Sequence, residues 1–329
     1  MSLLDNEPIQ RETTMRALVA RNSRVEVAEF ETPIPEPTEL LIRVTSAGIN
    51  AADILQAHGS YPPPPGFDPE RLGLEFAGEI VDIGTSVNGF TQGQYVMGVT
   101  GGGAHAEFIT IPASACIRVP DSIDPLIAGA FPEAGFTAFD ALISQAGLSI
   151  GDRLLVHGAL GGVGTAAVQI AALLGAEVTA VVRDHAQDPR VFSLGARHSV
   201  TPWEIPDSGH YDVILELVSG DNLSSNVDAL ATEGRIVIIG IGSVAQTQID
   251  LRRLMQKRGM LRASTLRARS WEQKAMLAAK VEHHLMVHLS SGAYRIIVED
   301  RFDLSDGPAA YDRFKQPGKF GKIILTTTT

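Results

Sequence analysis

The run Leu154-Leu155-Val156-His157-Gly158-Ala159-Leu160-Gly161-Gly162-Val163-Gly164 places an apolar stretch directly before a glycine turn, and small helix-compatible residues, Thr165-Ala166-Ala167, follow it. A second apolar stretch, Val178-Thr179-Ala180-Val181-Val182, ends on Arg183. Strand, turn, helix and second strand follow from this order. Glycines at the mouth of a helix let the backbone approach a pyrophosphate, whose charge meets free N–H groups and the positive end of the helix dipole. Ala159, Leu160, Gly161, Gly162, Val163 and Gly164 are therefore candidate cofactor-binding residues, although the first glycine of the usual pattern is replaced by Ala159, with Gly158 just ahead of it. About 20 residues after such a turn an acid would hold the 2′-hydroxyl of NAD, whereas a base accommodates the 2′-phosphate of NADP. Arg183 points to NADPH. A charge-assisted hydrogen bond is worth about 1.5–3 kcal/mol, a preference of about 10- to 100-fold over NADH. Asp184 is the neighbour that could pair with Arg183 instead.

Two kinds of element must position these residues. From about Met15 to Pro120 short apolar or alternating runs sit between Gly and Pro punctuation: Met15 to Val19, Leu40 to Val44, Phe76 to Ile83, Tyr95 to Gly98 and Ala106 to Ile111. They predict a compact β-rich domain. Ala138 to Ala146 reads as a helix, and from Gly151 strands alternate with helices, with further strands at Val213 to Leu217, Arg235 to Ile239 and Gly259 to Thr265. The fold class is α/β, with a doubly wound parallel sheet beside the β-rich domain. Leu277, Val281, Leu285 and Leu289 make one apolar helix stripe, which Ser290-Ser291-Gly292 ends. The tail has strand-like runs at Arg295 to Val298 and Lys322 to Leu325 but no sheet of its own, so it is expected to return to the first domain and leave a cleft. The division is 1–125 with 268–329 as one domain, residues 1–14 being disordered, and 126–267 as the coenzyme domain.

The chain has 329 residues, 44% of them hydrophobic, enough for two domains each with its own core. A net charge of −11 argues against a nucleic-acid partner, since phosphate binding needs a basic face. The single cysteine, Cys116, excludes an intramolecular disulfide and a multi-cysteine zinc site. Its setting, Ala115-Cys116-Ile117, reads as a buried strand and an inert thiol. No apolar run approaches the ~20 residues needed to span a bilayer, and the first 14 residues lack the order of a secretory signal. A cytoplasmic protein is the expectation.

Three motifs compete and fail. Gly147-Leu148-Ser149-Ile150-Gly151 matches G-x-S-x-G, but a nucleophile elbow needs strand, serine, helix, and here the order is reversed. His284 and His288 stand four apart on a helix without the glutamate of H-E-x-x-H, so a solvated polar face explains them. Pro62 to Pro65 reads as a stiff loop fixing Tyr61 rather than a ligand for a proline-recognition domain.

The β domain, the turn, the missing acid and the returning tail together resemble the medium-chain dehydrogenase/reductase superfamily over nearly the whole chain, and within it the zinc-free quinone oxidoreductases. Gly48-Ile49-Asn50-Ala51-Ala52-Asp53 is similar to their G-x-N-x-x-D segment, and Leu72-Gly73-Leu74-Glu75-Phe76-Ala77-Gly78 to the next. Tyr61-Pro62-Pro63-Pro64-Pro65-Gly66, Phe136-Thr137-Ala138-Phe139, Lys257-Arg258-Gly259 and Leu266-Arg267-Ala268-Arg269 resemble the branch of the tumour-suppressor-induced quinone oxidoreductase. The resemblance implies a GroES-like β-rich catalytic domain beside a Rossmann domain. In the zinc alcohol dehydrogenases of this superfamily a cysteine ligand stands at the position of Asn50 and a histidine ligand at that of Leu74. An amide is a poor zinc ligand and leucine has no donor atom, so no metal is expected.

An unactivated ketone needs its oxygen stabilised as hydride arrives, whereas a quinone or α,β-unsaturated carbonyl spreads the charge by conjugation. The expected activity is NADPH-dependent, zinc-independent reduction of such an acceptor. The resemblance implies Asn50 and Tyr61 as polar groups facing the acceptor oxygen and Thr137 near the nicotinamide. It also implies Gly240, Ile241 and Gly242 approaching the nicotinamide half, with Leu266 and Arg267 closing the cleft. An enone or 2-enoyl thioester substrate is the first alternative; a weakly catalytic, zeta-crystallin-like NADPH-binding protein is the second. The Gly259 to Thr265 strand lies at the expected sheet edge, and the resemblance implies that it pairs with a second subunit in a homodimer.

Overall fold

The structure, a computed structural model, describes residues 13–240, 242 and 244–327. The expected disorder of residues 1–14 lies almost wholly outside them, and Thr14 already belongs to a strand. β1 (Thr14–Arg21) and β2 (Arg24–Glu31) form a hairpin whose two turn residues, Asn22 and Ser23, both have positive φ, the geometry that matches strand twist in a two-residue turn. β2 alternates half-buried and exposed residues and was not anticipated from sequence.

β3 (Glu39–Gly48), helix α1 (Ala51–Ala57), β4 (Glu75–Ile83), β5 (Tyr95–Val99), β6 (Phe108–Pro112) and β7 (Cys116–Arg118) then build an antiparallel sheet. Leu40, Ile42, Val44, Phe76, Ile80 and Val96 pack together on one side of it. Cys116 lies in this core, where burial pushes its thiol up, in keeping with an inert side chain.

The short helix α2 (Pro125–Ala128) precedes α3 (Pro132–Phe139), which continues as a π-helical turn over 140–145. The helix expected from Ala138 therefore begins six residues earlier. Pro132 sits in its first turn, where a missing N–H costs nothing.

The second sheet is parallel. β8 (Arg153–Val156), α4 (Gly162–Leu174), β9 (Glu177–Val181), α5 (Asp188–Phe192), β10 (His198–Val200), β11 (Tyr211–Glu216), α6 (Leu223–Ala229), β12 (Leu230–Ile238), α7 (Leu251–Gln256) and β13 (Met260–Ala263) follow in turn. The strand order is β10-β9-β8-β11-β12-β13. Read by position along the chain it is 3-2-1-4-5-6, and the direction of winding reverses between β8 and β11, which is where such sheets bind dinucleotides.

Helix α8 (Trp271–Ser290) buries Leu277, Val281, Leu285 and Leu289, the stripe read from sequence. β14 (Val298–Asp303), α9 (Gly307–Lys315) and β15 (Lys322–Thr326) complete the chain. β15 pairs with β3, so the tail returns to the first sheet as expected. β14 lies beyond the predicted Arg295 to Val298 because its residues are polar and half-exposed, a pattern that apolar runs do not reveal. Gly321, just before β15, bridges Gly161 and donates its N–H to Leu160 O at 2.8 Å, so the returning strand is bonded directly to the glycine turn.

Candidate coenzyme and acceptor site

The glycine turn leaves β8 at His157, and Gly158 takes φ +64°, which frees the next position from being glycine. Ala159 is consequently buried without strain. Gly161 is the residue before α4 and offers no side-chain cap, leaving the first-turn amides of Gly162, Val163 and Gly164 open to an anion. A Cβ on Gly164 would lie 2.1 Å from Gly158 O and 2.7 Å from Ala159 Cα, both rigid backbone, so glycine alone lets the helix approach the turn.

Arg183 follows the end of β9 and is exposed. Its backbone N–H donates to Gln187. Asp184, the competing partner, instead caps the following turn by accepting from Ala186 N at 2.9 Å. Burial, and then the like charges of Arg313 and Arg183, lower the Lys319 pKa, which puts Lys319 within electrostatic reach of Arg183. Arg190 stacks over Phe320, 5.4 Å from the ring centroid. The bases Arg190 and Lys319 were not anticipated.

Opposite the turn, the loop after β11 is held by Glu216. Its carboxylate is fully buried and accepts from Val218 N at 2.7 Å, Ser219 N at 3.0 Å and Asn226 Nδ2 at 2.9 Å. His157, read from sequence as packing, joins this network through Asn226 Oδ1 at 2.8 Å. Gly240 comes close to the same loop, where its Cβ would meet Leu217 O at 3.0 Å, and Gly242 N donates to Val218 O. Ile241 lies outside the described residues.

On the side of the β-rich domain, Asn50 is half-buried and both ends of its amide are hydrogen-bonded. Nδ2 donates to Gly48 O and to Glu75 Oε1, while Oδ1 accepts from Lys322 Nζ at 2.6 Å. Lys322 also meets Glu75 at 2.5 Å, with both side chains nearly or wholly buried. The Lys322 stem lies against the coenzyme turn, since a Cβ on Gly162 would fall 2.5 Å from its Cδ. Asp53 accepts from Asn50 N and Gly73 N, and burial raises its pKa. Behind it His105 bonds Tyr311 at 2.9 Å and Gly48 O, and burial lowers the His105 pKa, keeping the ring neutral. Glu75, Lys322 and Asp53 hold Asn50 in place but were not singled out; a lone acid and a lone base inside otherwise apolar runs were the available signals.

Tyr61 has its hydroxyl 3.1 Å from Thr265 Oγ1 and its ring 5.1 Å from the Arg267 guanidinium. Arg267 is buried and ties three segments together through Gly101 O, Tyr61 O and Gln56 Oε1. Its charge is spent on protein groups, so it fixes the Tyr61 loop. Leu266 is a core residue. Thr137, on α3, is buried with its hydroxyl unpartnered among the described residues. His284 stacks on Phe139 at 5.9 Å, which accounts for its place on α8 without a ligand.

The alcohol dehydrogenase GroES-like domain family matches residues 36–121, and the zinc-binding dehydrogenase family matches residues 162–280. The chain belongs to the medium-chain dehydrogenase/reductase superfamily. Among full-length relatives of this superfamily, the quinone oxidoreductase of Lama guanicoe is 29% identical over 310 residues, which are 91% of this chain and 92% of that one. The polyketide synthase GfsB of Streptomyces halstedii is 31% identical over 88% of this chain, but the match is 5% of that protein's length. A mycobacterial protein solved as its NADPH complex superposes with TM-score 0.83 at 24% identity, covering 95% of this chain and 99% of that one. It has the same medium-chain reductase fold. No helix among the described residues is long and apolar enough to cross a membrane.

Proposed function

We propose that this chain is a zinc-independent reductase of the quinone oxidoreductase branch, using NADPH to reduce quinones or similar conjugated carbonyls. The observation that carries the reading is the bonding of the coenzyme turn to β15, whose Lys322 reaches Asn50 and Glu75. A dinucleotide cradle and a polar pocket thus share one strand. The residues fit NADPH: open amides at Gly162, Val163 and Gly164, an unpartnered Thr137 hydroxyl, and Arg183 free of its acidic neighbour. When bound, the reduced nicotinamide would supply a hydride.

The donor set favours reduction without a Lewis acid. Leu74 is buried and has no donor atom, and the Asn50 amide oxygen is already occupied by Lys322. The protein's contribution is then orientation and exclusion of water around an acceptor that delocalises its own charge. Asn50 positions Lys322 and Glu75, Tyr61 and Thr265 line the loop held by Arg267, and Thr137 offers a hydroxyl to the coenzyme. The polyketide synthase relatives favour a second reading, reduction of a 2-enoyl thioester.

The deciding experiment is the initial rate of NADPH oxidation in a chelator, with an ortho-quinone or an enone as acceptor and NADH as comparison. Turnover favouring NADPH with the quinone supports the first reading; turnover with the enone alone moves the assignment to the second. NADPH binding without turnover leaves a coenzyme-binding protein.

A further inference from the structure

Glu133 and Thr137 stand one turn apart on the same face of α3. The Glu133 backbone N–H is held by Glu75 Oε2 at 2.8 Å, which pins the start of the helix to β4. Glu133 is half-buried, and its carboxyl meets no hydrogen-bond donor among the described residues. Charged groups face it from every neighbouring element: Glu75 on β4, Asp53 on α1, Lys322 on β15 and Lys274 on α8, with Arg267 just before α8. Helix α3 also packs along α4, the helix that opens at the glycine turn. The Glu133 side chain therefore sits at the seam between the glycine turn and the Asn50–Glu75–Lys322 group, one helical turn from the buried, unpartnered Thr137 hydroxyl.

We propose that Glu133 is the acid of the reaction, passing its carboxyl proton to the acceptor atom left electron-rich once a reduced nicotinamide has supplied a hydride. This inference rests on the reductive reading above. The carboxyl O–H bond breaks and its electron pair stays on the carboxylate. The acceptor's extra pair forms the new bond, C–H at the α-carbon of an enone or O–H at a quinone oxygen. The carboxylate then faces Lys322, Lys274 and Arg267 until water returns a proton, so each turnover consumes one hydride and one proton. Burial, reinforced by the Glu75 carboxylate, pushes the Glu133 carboxyl up to about 8, so the group holds its proton at neutrality.

The test compares the full-length wild type with Glu133→Gln and Glu133→Asp, using NADPH with the better of the two acceptors from about pH 6 to about pH 10. The expected result is a wild-type kcat that falls as pH rises through about 8 and a Glu133→Gln kcat about 100-fold lower and flat across that limb. Glu133→Asp should recover part of the rate, and NADPH affinity should change less than about two-fold, because the coenzyme cradle is untouched. An active wild type matched by Glu133→Gln, with the same pH limb, overturns this inference and leaves the reductive reading standing; a wild type that binds NADPH but reduces neither acceptor removes both. Thermal unfolding gives a readout independent of turnover. A carboxyl with a higher pKa folded than unfolded binds more protons in the native state between the two values, so stability falls as pH rises through that window. Wild type should lose Tm relative to Glu133→Gln between about pH 5 and about pH 8, and parallel Tm curves would overturn the proposal.

Discussion

Lys322 and Glu75 are 247 residues apart in sequence and 2.5 Å apart in space, in surroundings that exclude water. Removing one member of such a pair leaves a buried charge without its partner, which costs about 3–5 kcal/mol, more than the pair itself contributes. Lys322→Met should therefore destabilise the protein by about that amount in urea unfolding, and adding Glu75→Gln should restore part of the loss. Arg183 makes the opposite case, an exposed base whose value lies in a ligand. Arg183→Ala should weaken NADPH binding about 10- to 100-fold while changing NADH binding little, measured by fluorescence titration. Arg183 could be named a candidate from sequence because it stands at a fixed distance from a glycine turn. Glu75, Glu133 and Lys322 were not, because their significance comes only from convergence of strands and a helix distant along the chain. Asn50 shows the same limit: its place in a motif was legible, but the bonding of its amide to Lys322 and Glu75 was not.

Among the elements, β8, α4 and β9 follow the sequence reading closely because local periodicity, glycine placement and burial all agree there. Gly164→Ala should abolish coenzyme binding or force α4 away from Gly158, since the new Cβ meets backbone on two sides; calorimetric titration with NADPH would show it. The reading was poorer where polar content hid an edge strand, as in β14, or where proline opened a helix rather than ending one, as in α3. The π-helical turn after α3 was also beyond local pattern. It carries Asp140, whose carboxylate pairs with Arg269 at 2.5 Å, a contact fixed by the segment that precedes α8.

Among the described residues, β13 leaves one edge of the parallel sheet unpaired. All four residues of β13 are exposed and β13 is the last strand in its sheet order. Met260 and Leu261 stand on it, and Leu251 and Met255 are exposed on the preceding helix. An open edge beside apolar side chains favours strand pairing with a second copy, the homodimer proposed from sequence. Light scattering should give twice the chain mass for the wild type and the chain mass for Met260→Asp, which would bury a charge in the paired edge.

The hydrogen bond from Gly321 N to Leu160 O spans the two sheets rather than lying within either. Its amide can meet solvent only when β15 and the glycine turn part, so its deuterium exchange rate is a direct gauge of how often the cleft opens. Saturating coenzyme should slow that single exchange, which makes the opening free energy of the enzyme readable from one backbone proton.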